Sequence, residues 1–458
     1  MPAESPPLDL KTPARVHIVG IGGAGMSALG VLLAQMGHEV SGSDLHRAPS
    51  FAALEAHGVH TVVGHDAELV VGVDWLTASP AVPESNPELT AAAARGIRRV
   101  RRPELMGALA HVRRLVAVAG THGKTTTSTM LSLIALEDDP GASFLLGAEV
   151  EALGASARFG PGEVLVVEAD ESYGAFEELS AWLVGITNVE ADHLDHYGTL
   201  EGLEAAFEAL ATRAVASVAM VDDVGAARVG AEAGSRRVGE SEQAEYRVSE
   251  VRLGRASSSF RLTTPSATLE LGVGAPGRHN VANAALAAAL ADLAGMASTS
   301  IVAGLARFAG VPRRYEFRGE ARGITFVDDY AHLPAEVAAT LAAANTGGFE
   351  RIVAVFQPHR FTRTAAVADQ FAGVFDDADL TFICDVYSAG EPPLPGITGA
   401  LVAEAASAGA GDGTVRYLST LDEIETALLN ELRPGDLCLT MGAGDLTELP
   451  DRLLARLA

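Results

Sequence analysis

Two glycine-rich segments of the chain carry the residue types that bind nucleotide phosphates. The first, GIGGAG (20–25), follows the apolar run VHIV and precedes an Ala- and Leu-rich segment. The second, GTHGKTTT (120–127), follows LVAVA and leads into TSTMLSLIAL. Glycines let a backbone approach a phosphate closely, and the free N–H groups at a helix start attract its charge. Each segment therefore predicts a phosphate site between a strand and a helix.

The second segment has the stronger signal, because it combines glycines with Lys-Thr. Lys124 would neutralise charge on the terminal phosphates of ATP, and the Thr125 hydroxyl would reach a bound Mg²⁺. Only Thr121 and His122 separate the two glycines, where the standard phosphate loop has four residues. Lysine occurs twice in this chain, against 31 arginines, so a lysine retained here favours a specific role. A chance GKT would not explain the flanking strand and helix patterns.

The first segment fits G-x-G-x-x-G, with glycines at 20, 22, 23 and 25. Asp44 lies about twenty residues further on, at the end of the next strand pattern, where a ribose or base contact is expected. The segment predicts a nucleotide diphosphate site but does not identify the nucleotide. A tight strand–helix turn without a ligand would give the same pattern. A nicotinamide-dependent (NAD) oxidoreductase is an alternative from this motif, but it leaves GKTTT unexplained.

A carboxylate and an imidazole follow the next two strand patterns of the central region. Glu168 ends VLVVE, and His193 lies in NVEADHLDHYG after LVGIT. Ligands bind at the carboxyl ends of strands in open α/β sheets, so this pair would complete a Mg²⁺ shell with Thr125. Imidazole is an unusual ligand for Mg²⁺. Four neighbouring acids remain alternatives: Asp170, Glu171, Asp192 and Asp195.

Alternating apolar strand patterns and helical stretches predict an α/β protein of three domains. Residues 1–110 and 312–458 would be Rossmann-like domains with parallel sheets. Residues 111–311 would be a P-loop-type ATPase domain with a parallel sheet. Period-two alternation over about 235–275 predicts an additional small antiparallel sheet in that domain.

Bulk composition excludes several function classes. The net charge of −26 over 458 residues opposes nucleic-acid binding, which needs a basic surface. No apolar stretch is long enough for a membrane span, and no secretory signal is visible, so we expect a cytoplasmic protein, monomeric or weakly dimeric. Cys384 and Cys438 lie in apolar strand patterns, which predict two buried free thiols and not a disulfide or a metal-binding pair.

The motifs together resemble those of the muramyl ligases, the ATP-dependent amide-forming enzymes of peptidoglycan precursor synthesis. Nine strings occur in family order along essentially the whole chain: GIGGAGMSALG, GTHGKTTT, EADES, ITNVEADHLDHYG, GRHNVANA, RRYEFRG, VDDYAHLPAEV, FQPHRFTRT and DVYSAGE. The resemblance implies a ligase of cell wall biogenesis, and hence of cell shape and cell division. It also makes a non-catalytic nucleotide sensor a poor alternative, since the lysine, metal-ligand candidates and arginines are all present.

The resemblance implies a role for each matching position. The UDP-sugar site would comprise Gly20, Gly22, Gly23, Ala24, Gly25 and Asp44. The ATP site would comprise Gly120, Thr121, His122, Gly123, Lys124, Thr125, Thr126, Asn283, Arg314 and Asp329. The amino-acid site would comprise Tyr330, His359, Arg360 and Arg363. Mg²⁺ would be held by Thr125, Glu168 and His193, and the catalytic groups would be Lys124, His193 and Arg314.

Within the family, the strings are most similar to the branch that adds L-alanine to UDP-N-acetylmuramate through an acyl phosphate. The alternative branch is the recycling ligase that attaches a preformed tripeptide. Later ligases of the pathway use a carbamylated lysine after the DHLD segment, where this chain has Phe207 and no lysine. A second departure is His332-Leu333-Pro334, where relatives read His-His-Pro, so no role is carried over to Leu333.

Overall fold

The computed structural model describes residues 7–408 and 414–458, without the side chain of Asp195, and contains three β-sheets in chain order. The α/β class and the three sheets expected from the strand patterns are confirmed. Packing divides the chain into two compact units. The first extends to Glu250 and includes Phe260–Leu271 and Ala282–Phe308, while the second comprises Val251–Ser259, Gly272–Val281 and Ala309–Ala458. The first two sheets belong mainly to the first unit.

The N-terminal sheet is parallel, with strand order β3-β2-β1-β4-β5. Its strands are β1 (Arg15–Val19), β2 (Glu39–Asp44), β3 (His60–Val63), β4 (Trp75–Ala78) and β5 (Arg98–Arg99). Its helices are α1 (Ala24–Gln35), α2 (Phe51–Ala56), α3 (Pro87–Ala94) and α4 (Arg102–Leu109). Strands β2 and β3 lie on one side of β1, and β4 and β5 lie on the other. The loop after β1 is therefore at the point where the strand order reverses, which is where open sheets bind ligands.

The central sheet has ten strands in the order β15-β14-β13-β12-β11-β10-β6-β9-β7-β8. Its strands are β6 (Arg114–Ala119), β7 (Ser143–Val150), β8 (Ala155–Arg158), β9 (Val164–Glu168), β10 (Leu183–Ile186), β11 (Ala216–Met220), β12 (Arg236–Gly239), β13 (Tyr246–Leu253), β14 (Ser258–Thr263) and β15 (Thr268–Val273). The neighbouring strands β13, β12, β11, β10, β6, β9 and β7 pair parallel in that spatial order. The edge strand β8 pairs antiparallel with β7. The strands β13 to β15, joined by tight turns, extend the edge of this same sheet.

Six helices accompany the central sheet in the described residues: α5 (Lys124–Asp138), α6 (Leu194–Tyr197), α7 (Leu200–Arg213), α8 (Val224–Glu232), α9 (Arg278–Leu293) and α10 (Ser298–Ala306). Helix α5 is buried although its first half is rich in Thr and Ser. Ser128 and Ser132 donate to the carbonyls of Lys124 and Ser128, each at 2.7 Å, so their hydroxyls are satisfied inside the helix. A Cβ on Gly304 of α10 would lie 2.4 Å from Ile134 Cα, so glycine permits the close packing of α10 on α5.

The C-terminal sheet has the order β16-β17-β21-β18-β19-β20, and only its β16–β17 pair is antiparallel among the pairs described. Its strands are β16 (Glu316–Ala321), β17 (Ile324–Asp329), β18 (Arg351–Phe356), β19 (Leu380–Ile383), β20 (Val415–Tyr417) and β21 (Asp436–Met441). Its helices are α11 (Pro334–Asn345), α12 (Phe361–Val367), α13 (Gly399–Ser407), α14 (Leu421–Glu431) and α15 (Leu449–Leu457). Apolar side chains on both faces of the central strands form two core clusters, as parallel sheets require.

The two cysteines are free and buried, as their apolar surroundings predicted. Burial raises the pKa of both thiols to about 12, so they are uncharged at neutral pH. None of the helices described here is both long and apolar enough to span a bilayer.

Candidate active site

The GTHGKTTT loop connects β6 to α5, and its glycines are required by its geometry. Gly120 and Gly123 have φ of +134° and +77°, conformations that L side chains rarely adopt. A Cβ on Gly120 would lie 2.0 Å from Thr187 Oγ1, and one on Gly123 would lie 2.5 Å from Asn283 Oδ1. The second contact places Asn283, predicted from the resemblance to bind ATP, directly against the phosphate loop.

A segment after β10 anchors this loop. The backbone N–H groups of Thr121 and His122 donate to the carbonyl oxygen and to Oδ1 of Asn188, at 3.0 and 2.7 Å. Thr187 Oγ1 donates to the His122 carbonyl at 2.6 Å. Glu190 N donates to Thr121 Oγ1 at 2.9 Å. The ITNVE segment therefore holds the GTHGKTTT loop in place through hydrogen bonds. The sequence did not indicate this role for Thr187 or Asn188.

Lys124 begins α5, and its ammonium is held at the loop. Nζ donates to the carbonyls of Gly120 and Thr121 at 2.6 and 3.0 Å, and it lies 2.9 Å from Glu171 Oε2. Burial by itself would lower the pKa of Lys124, but the neighbouring Glu171 and Asp170 carboxylates raise it above its ordinary value. The ammonium therefore stays charged across the neutral range, as binding of an anionic phosphate requires.

The predicted metal ligands form two neighbouring arrangements. Thr125 Oγ1 donates to Glu168 Oε1 at 2.9 Å, which brings together two of the three predicted ligands. The other oxygen of Glu168 accepts from Gly147 N at 2.8 Å. His193, at φ 51°, groups instead with Asp170 and Glu171, and one ligand atom from each of these three lies within 4.8 Å of the others. Of the acids left open by the sequence, Asp170 and Glu171 form this group with His193, and Asp192 Oδ2 lies 3.7 Å from His193 Nε2.

The GIGGAG loop connects β1 to α1 and is bound to the end of β2. Gly20 N and Ile21 N donate to the Ser43 carbonyl at 2.8 and 3.0 Å, and Gly22 N donates to Asp44 Oδ2 at 2.9 Å. A Cβ on Gly22 would lie 2.8 Å from that same oxygen. In this structure, one oxygen of Asp44 holds the loop.

The other predicted members of this loop lie at the start of α1. Gly23 precedes the helix without a side-chain cap, and Ala24 is its first residue. A Cβ on Gly25 would come within 3.3 Å of the Arg102 guanidinium, whereas one on Gly23 would meet nothing closer than 3.8 Å. Gly25 is thus constrained by a neighbouring side chain, while the position of Gly23 is sterically open.

In the second unit, the predicted amino-acid-binding residues form a cluster of rings and guanidinium groups. The His359 ring stacks on Tyr387 at 5.8 Å and contacts His332 edge-on at 5.6 Å, and His332 contacts Tyr330 at 5.5 Å. Arg363 Nη1 donates to His359 Nδ1 at 3.0 Å, so the proton of the neutral ring is on Nε2. Burial, with the nearby His332 and arginines, lowers the pKa of His359 to about 4.

Three further predicted residues belong to the same unit. The Arg314 guanidinium lies over the Tyr330 ring at 5.1 Å. Asp329 is buried and accepts from Tyr315 N and Ala331 N, each at 2.7 Å, and burial raises its pKa to about 6. Arg360, at φ 67°, donates from its backbone N to the Tyr387 carbonyl at 2.8 Å. Each remains a predicted site residue.

Leu333 occupies the position where the resemblance expects a second histidine. It is buried, and the carboxylate of Glu336 accepts from the backbone N–H groups of His332 and Leu333 at 2.9 and 3.1 Å. The start of α11 is therefore capped by Glu336 without any contribution from the side chain at 333.

Three family models match the chain in succession. The model described as Mur ligase family, catalytic domain, matches residues 15–114. The Mur ligase middle domain matches residues 118–291, and the Mur ligase glutamate ligase domain matches residues 313–444. Together they account for most of the chain.

Curated relatives match over nearly the whole length. A UDP-N-acetylmuramate–L-alanine ligase of Thermobifida fusca is 41% identical, covering 98% of this chain and 98% of that protein. One of Kineococcus radiotolerans is 44% identical, covering 97% of this chain and 96% of that protein. Among solved structures, the UDP-N-acetylmuramate-alanine ligase MurC of Thermotoga maritima matches with a TM-score of 0.81 at 28% identity, covering 97% of this chain and 99% of that one.

Proposed function

The chain belongs to the Mur ligase family, and we propose that it is an ATP-dependent ligase that joins L-alanine to the lactyl carboxylate of UDP-N-acetylmuramate. The proposal rests on the similarity, at 41–44% identity over nearly the whole chain, to relatives named UDP-N-acetylmuramate–L-alanine ligase. The phosphate loop that holds Lys124 supports it. The oxidoreductase alternative has no support, because the GIGGAG loop that suggested it lies within a region that matches a Mur ligase domain.

The proposed reaction has two steps. A carboxylate oxygen attacks the γ-phosphorus of ATP, an O–P bond forms, and the bond to the β-phosphate breaks to release ADP. The neutral amine of alanine then attacks the acyl carbon. The tetrahedral intermediate expels inorganic phosphate, and the nitrogen loses a proton to give the amide. Positioning and charge neutralisation carry such phosphoryl transfers, which suits the buried ammonium of Lys124.

Mg²⁺ is part of this proposal. Thr125 and Glu168 are hard oxygen donors at one point of the loop, and Asp170, Glu171 and His193 are a second candidate ligand group. When bound, Mg²⁺ would neutralise charge on the ATP phosphates. Because oxygen donors predominate, the residues present fit this ion.

We assign the substrates to the three regions in turn. Residues 1–110 would bind UDP-N-acetylmuramate through the GIGGAG loop. Residues 111–311 would bind ATP, with Asn283 beside the phosphate loop. Residues 312–458 would supply Tyr330, His359, Arg360 and Arg363 for alanine and act as the lid domain with Arg314 and Asp329. An arginine fork matches the planar carboxylate of an amino acid.

ADP formation by the purified chain tests the proposal. The assay contains ATP, Mg²⁺ and UDP-N-acetylmuramate, and compares L-alanine, glycine, L-serine and a preformed free tripeptide as acceptors. We expect ADP release that depends on alanine, with a product heavier than the sugar nucleotide by one alanyl residue. Release that depends on the tripeptide alone would assign the chain to the recycling branch, and no release with any acceptor would refute the ligase proposal.

A further inference from the structure

Helix α4 places Arg102 between the two phosphate loops of the first unit. Its Nη2 lies 3.3 Å from where a Cβ on Gly25 would stand, at the start of the helix that follows GIGGAG. The same Nη2 lies 3.7 Å from Asp170 Oδ2, in the string that follows β9. Asp170 is adjacent in sequence to Glu171, whose carboxylate contacts Lys124. The guanidinium therefore faces both the predicted sugar-nucleotide loop and the surroundings of the ATP lysine.

Among the residues that the structure describes, Arg102 has one ion pair, to Asp170, and no side-chain hydrogen bond. Its Nε is buried and has no hydrogen-bond acceptor among the residues described, and the contact to Asp170 is too long for a hydrogen bond. The side chain is only 23% exposed, so water replaces few of the missing bonds. Buried donors without acceptors are rare in folded proteins because leaving them unpaired is unfavourable.

The position of Arg102 on its helix adds to this cost. It is the first residue of α4, where the positive end of the helix dipole disfavours a cation. The preceding Arg101, the N-cap residue of α4, differs in exposure and in pairing. Its side chain is 67% exposed and forms an ion pair with Glu178. A cation with one long ion pair, to Asp170, and a buried donor without an acceptor, held between two ligand loops, is the arrangement expected of a binding site for an anionic group.

The proposed function, on which this inference rests, supplies such a group. In the first step, the lactyl carboxylate of the sugar nucleotide must lie between the diphosphate bound by GIGGAG and the γ-phosphate near Lys124. A carboxylate has two coplanar oxygens, which match the parallel N–H groups of an arginine. We propose that Arg102 binds the lactyl carboxylate of UDP-N-acetylmuramate and orients it for attack on the γ-phosphorus.

This role makes Arg102 a substrate-binding residue that neither gives nor takes a proton. The guanidinium would hold both carboxylate oxygens, and a remaining lone pair on one of them would form the new O–P bond. Asp170 would then keep the guanidinium in position from the opposite side.

The test compares Arg102→Gln and Arg102→Lys with the control Arg101→Gln in the alanine-dependent ADP assay. For Arg102→Gln we expect the KM for UDP-N-acetylmuramate to rise about tenfold to a hundredfold, the loss expected for a charge-assisted hydrogen bond. The KM values for ATP and alanine should change less than about twofold, which is the size of change that a surface substitution far from a binding site usually causes. Arg102→Lys should be intermediate, since it keeps the charge but loses the fork, and Arg101→Gln should match the wild type.

Inhibition by UDP, which has the diphosphate but no lactyl carboxylate, separates the two anionic groups of the donor. We expect UDP to inhibit wild type and Arg102→Gln with the same constant. An equal weakening of UDP and of UDP-N-acetylmuramate would assign the guanidinium to the diphosphate and overturn the proposal. An unchanged KM for UDP-N-acetylmuramate in both Arg102 variants would also overturn it.

Folding is checked by the thermal unfolding midpoint of each variant, and Arg102→Lys carries the test if Arg102→Gln does not fold. The wild-type assay keeps the two proposals distinct. Absence of alanine-dependent ADP release from the wild type refutes the proposed function, whereas normal wild-type turnover with unaffected Arg102 variants refutes only the role of Arg102.

Discussion

The Nζ atom of Lys124 lies 2.9 Å from Glu171 Oε2; the Glu171 side chain is buried and that of Lys124 is mostly buried. Two loop carbonyls, of Gly120 and Thr121, accept from the same ammonium. All three donors of the ammonium are therefore directed at protein atoms. A phosphate that binds here must replace at least one of these acceptors, so the loop holds its lysine in a fixed position near the site of the incoming charge.

Replacing Lys124 by Ala should lower kcat for ADP formation by about a hundredfold to a thousandfold, because a preorganised cation at the transferring phosphoryl group is lost. UDP-N-acetylmuramate should bind unchanged, since its predicted loop does not contact Lys124. Steady-state kinetics and calorimetric titration with the sugar nucleotide check the two expectations. The matched control is Lys11→Ala, which removes the other lysine, an exposed one. Turnover retained by Lys124→Ala would contradict the assigned role.

Gly123→Ala should destabilise the protein and weaken ATP binding. The substitution forces an L residue to φ +77° and places its Cβ 2.5 Å from Asn283 Oδ1. Gly234→Ala is a control at similar φ, +68°, with nothing within 4 Å of the added methyl. The control should cost about 1 kcal/mol of strain, and Gly123→Ala should cost clearly more. Urea unfolding and the KM for ATP measure the difference, and equal losses in the two variants would show that Asn283 moves aside freely.

Glu88→Ala should cost about 3–5 kcal/mol of unfolding free energy, because it removes a fully buried carboxylate and leaves its buried partners without an acceptor. Glu88 accepts from Ser43 Oγ at 2.7 Å and contacts His17 Nε2 and His65 Nδ1, each at 3.0 Å. The control is Glu84→Ala, whose carboxylate is 79% exposed beside Arg99.

The control should change stability by less than about 0.5 kcal/mol. The Ser43 carbonyl also holds the GIGGAG loop, so a weaker affinity for the sugar nucleotide should accompany the loss of stability in Glu88→Ala. Chemical denaturation and titration with the sugar nucleotide measure these effects. Equal stabilities of the two variants would mean that the buried network contributes nothing net.

Three buried groups of the second unit should set the acid dependence of its stability. Burial lowers the pKa of His279 and His359 to about 4, so both take up a proton when the chain unfolds between pH 4 and 6.5. Burial raises the pKa of Asp329 to about 6, so this group releases a proton on unfolding between about pH 4 and 6. The histidines thus contribute stability that is present above pH 6.5 and lost as the pH falls, while Asp329 acts in the opposite direction.

On unfolding near pH 5 these three groups together take up about one proton. The free energy of unfolding should therefore rise by about 1.4 kcal/mol for each unit by which the pH increases. His279→Gln should lower the measured slope by about that amount, and Asp329→Asn should raise it by a similar amount. Unfolding free energies of the wild type and both variants from pH 4 to 7 give these differences. A slope that neither substitution alters would contradict the assigned pKa directions.

The sequence predicted the parts of the fold whose signal is local. Buried parallel strands such as VHIV, LVAVA and RIVAVF are continuous apolar runs, and a glycine turn followed by a helix pattern identifies the crossover after each. The strands β5, β7, β8 and β16 were not predicted. They lie toward the margins of their sheets or pair antiparallel, where burial is uneven and the apolar pattern is weak.

The site was predicted as a set of loops but not as a set of contacts. Lys124, Thr125 and Glu168 were identified because each follows a strand end, and the structure brings the last two to hydrogen-bonding distance. The grouping of His193 with Asp170 and Glu171 depends on how the segment after β10 curves, which no spacing encodes. Arg102 was passed over because it sits in a basic run, RRVRRPELM, whose members are indistinguishable until burial separates them.

Primary amines are scarce in this chain, and their placement has a practical consequence. Its two lysines are the exposed Lys11 near the N-terminus and the buried Lys124 at the phosphate loop. A small amine-directed reagent therefore has only two side-chain targets, one accessible and one inside the nucleotide site. Because the ammonium of Lys124 stays charged and donates to the loop, it is a poor nucleophile, so at neutral pH the reagent should modify Lys11 and leave Lys124 unmodified. The native protein would then carry a single modified side chain outside the phosphate loop.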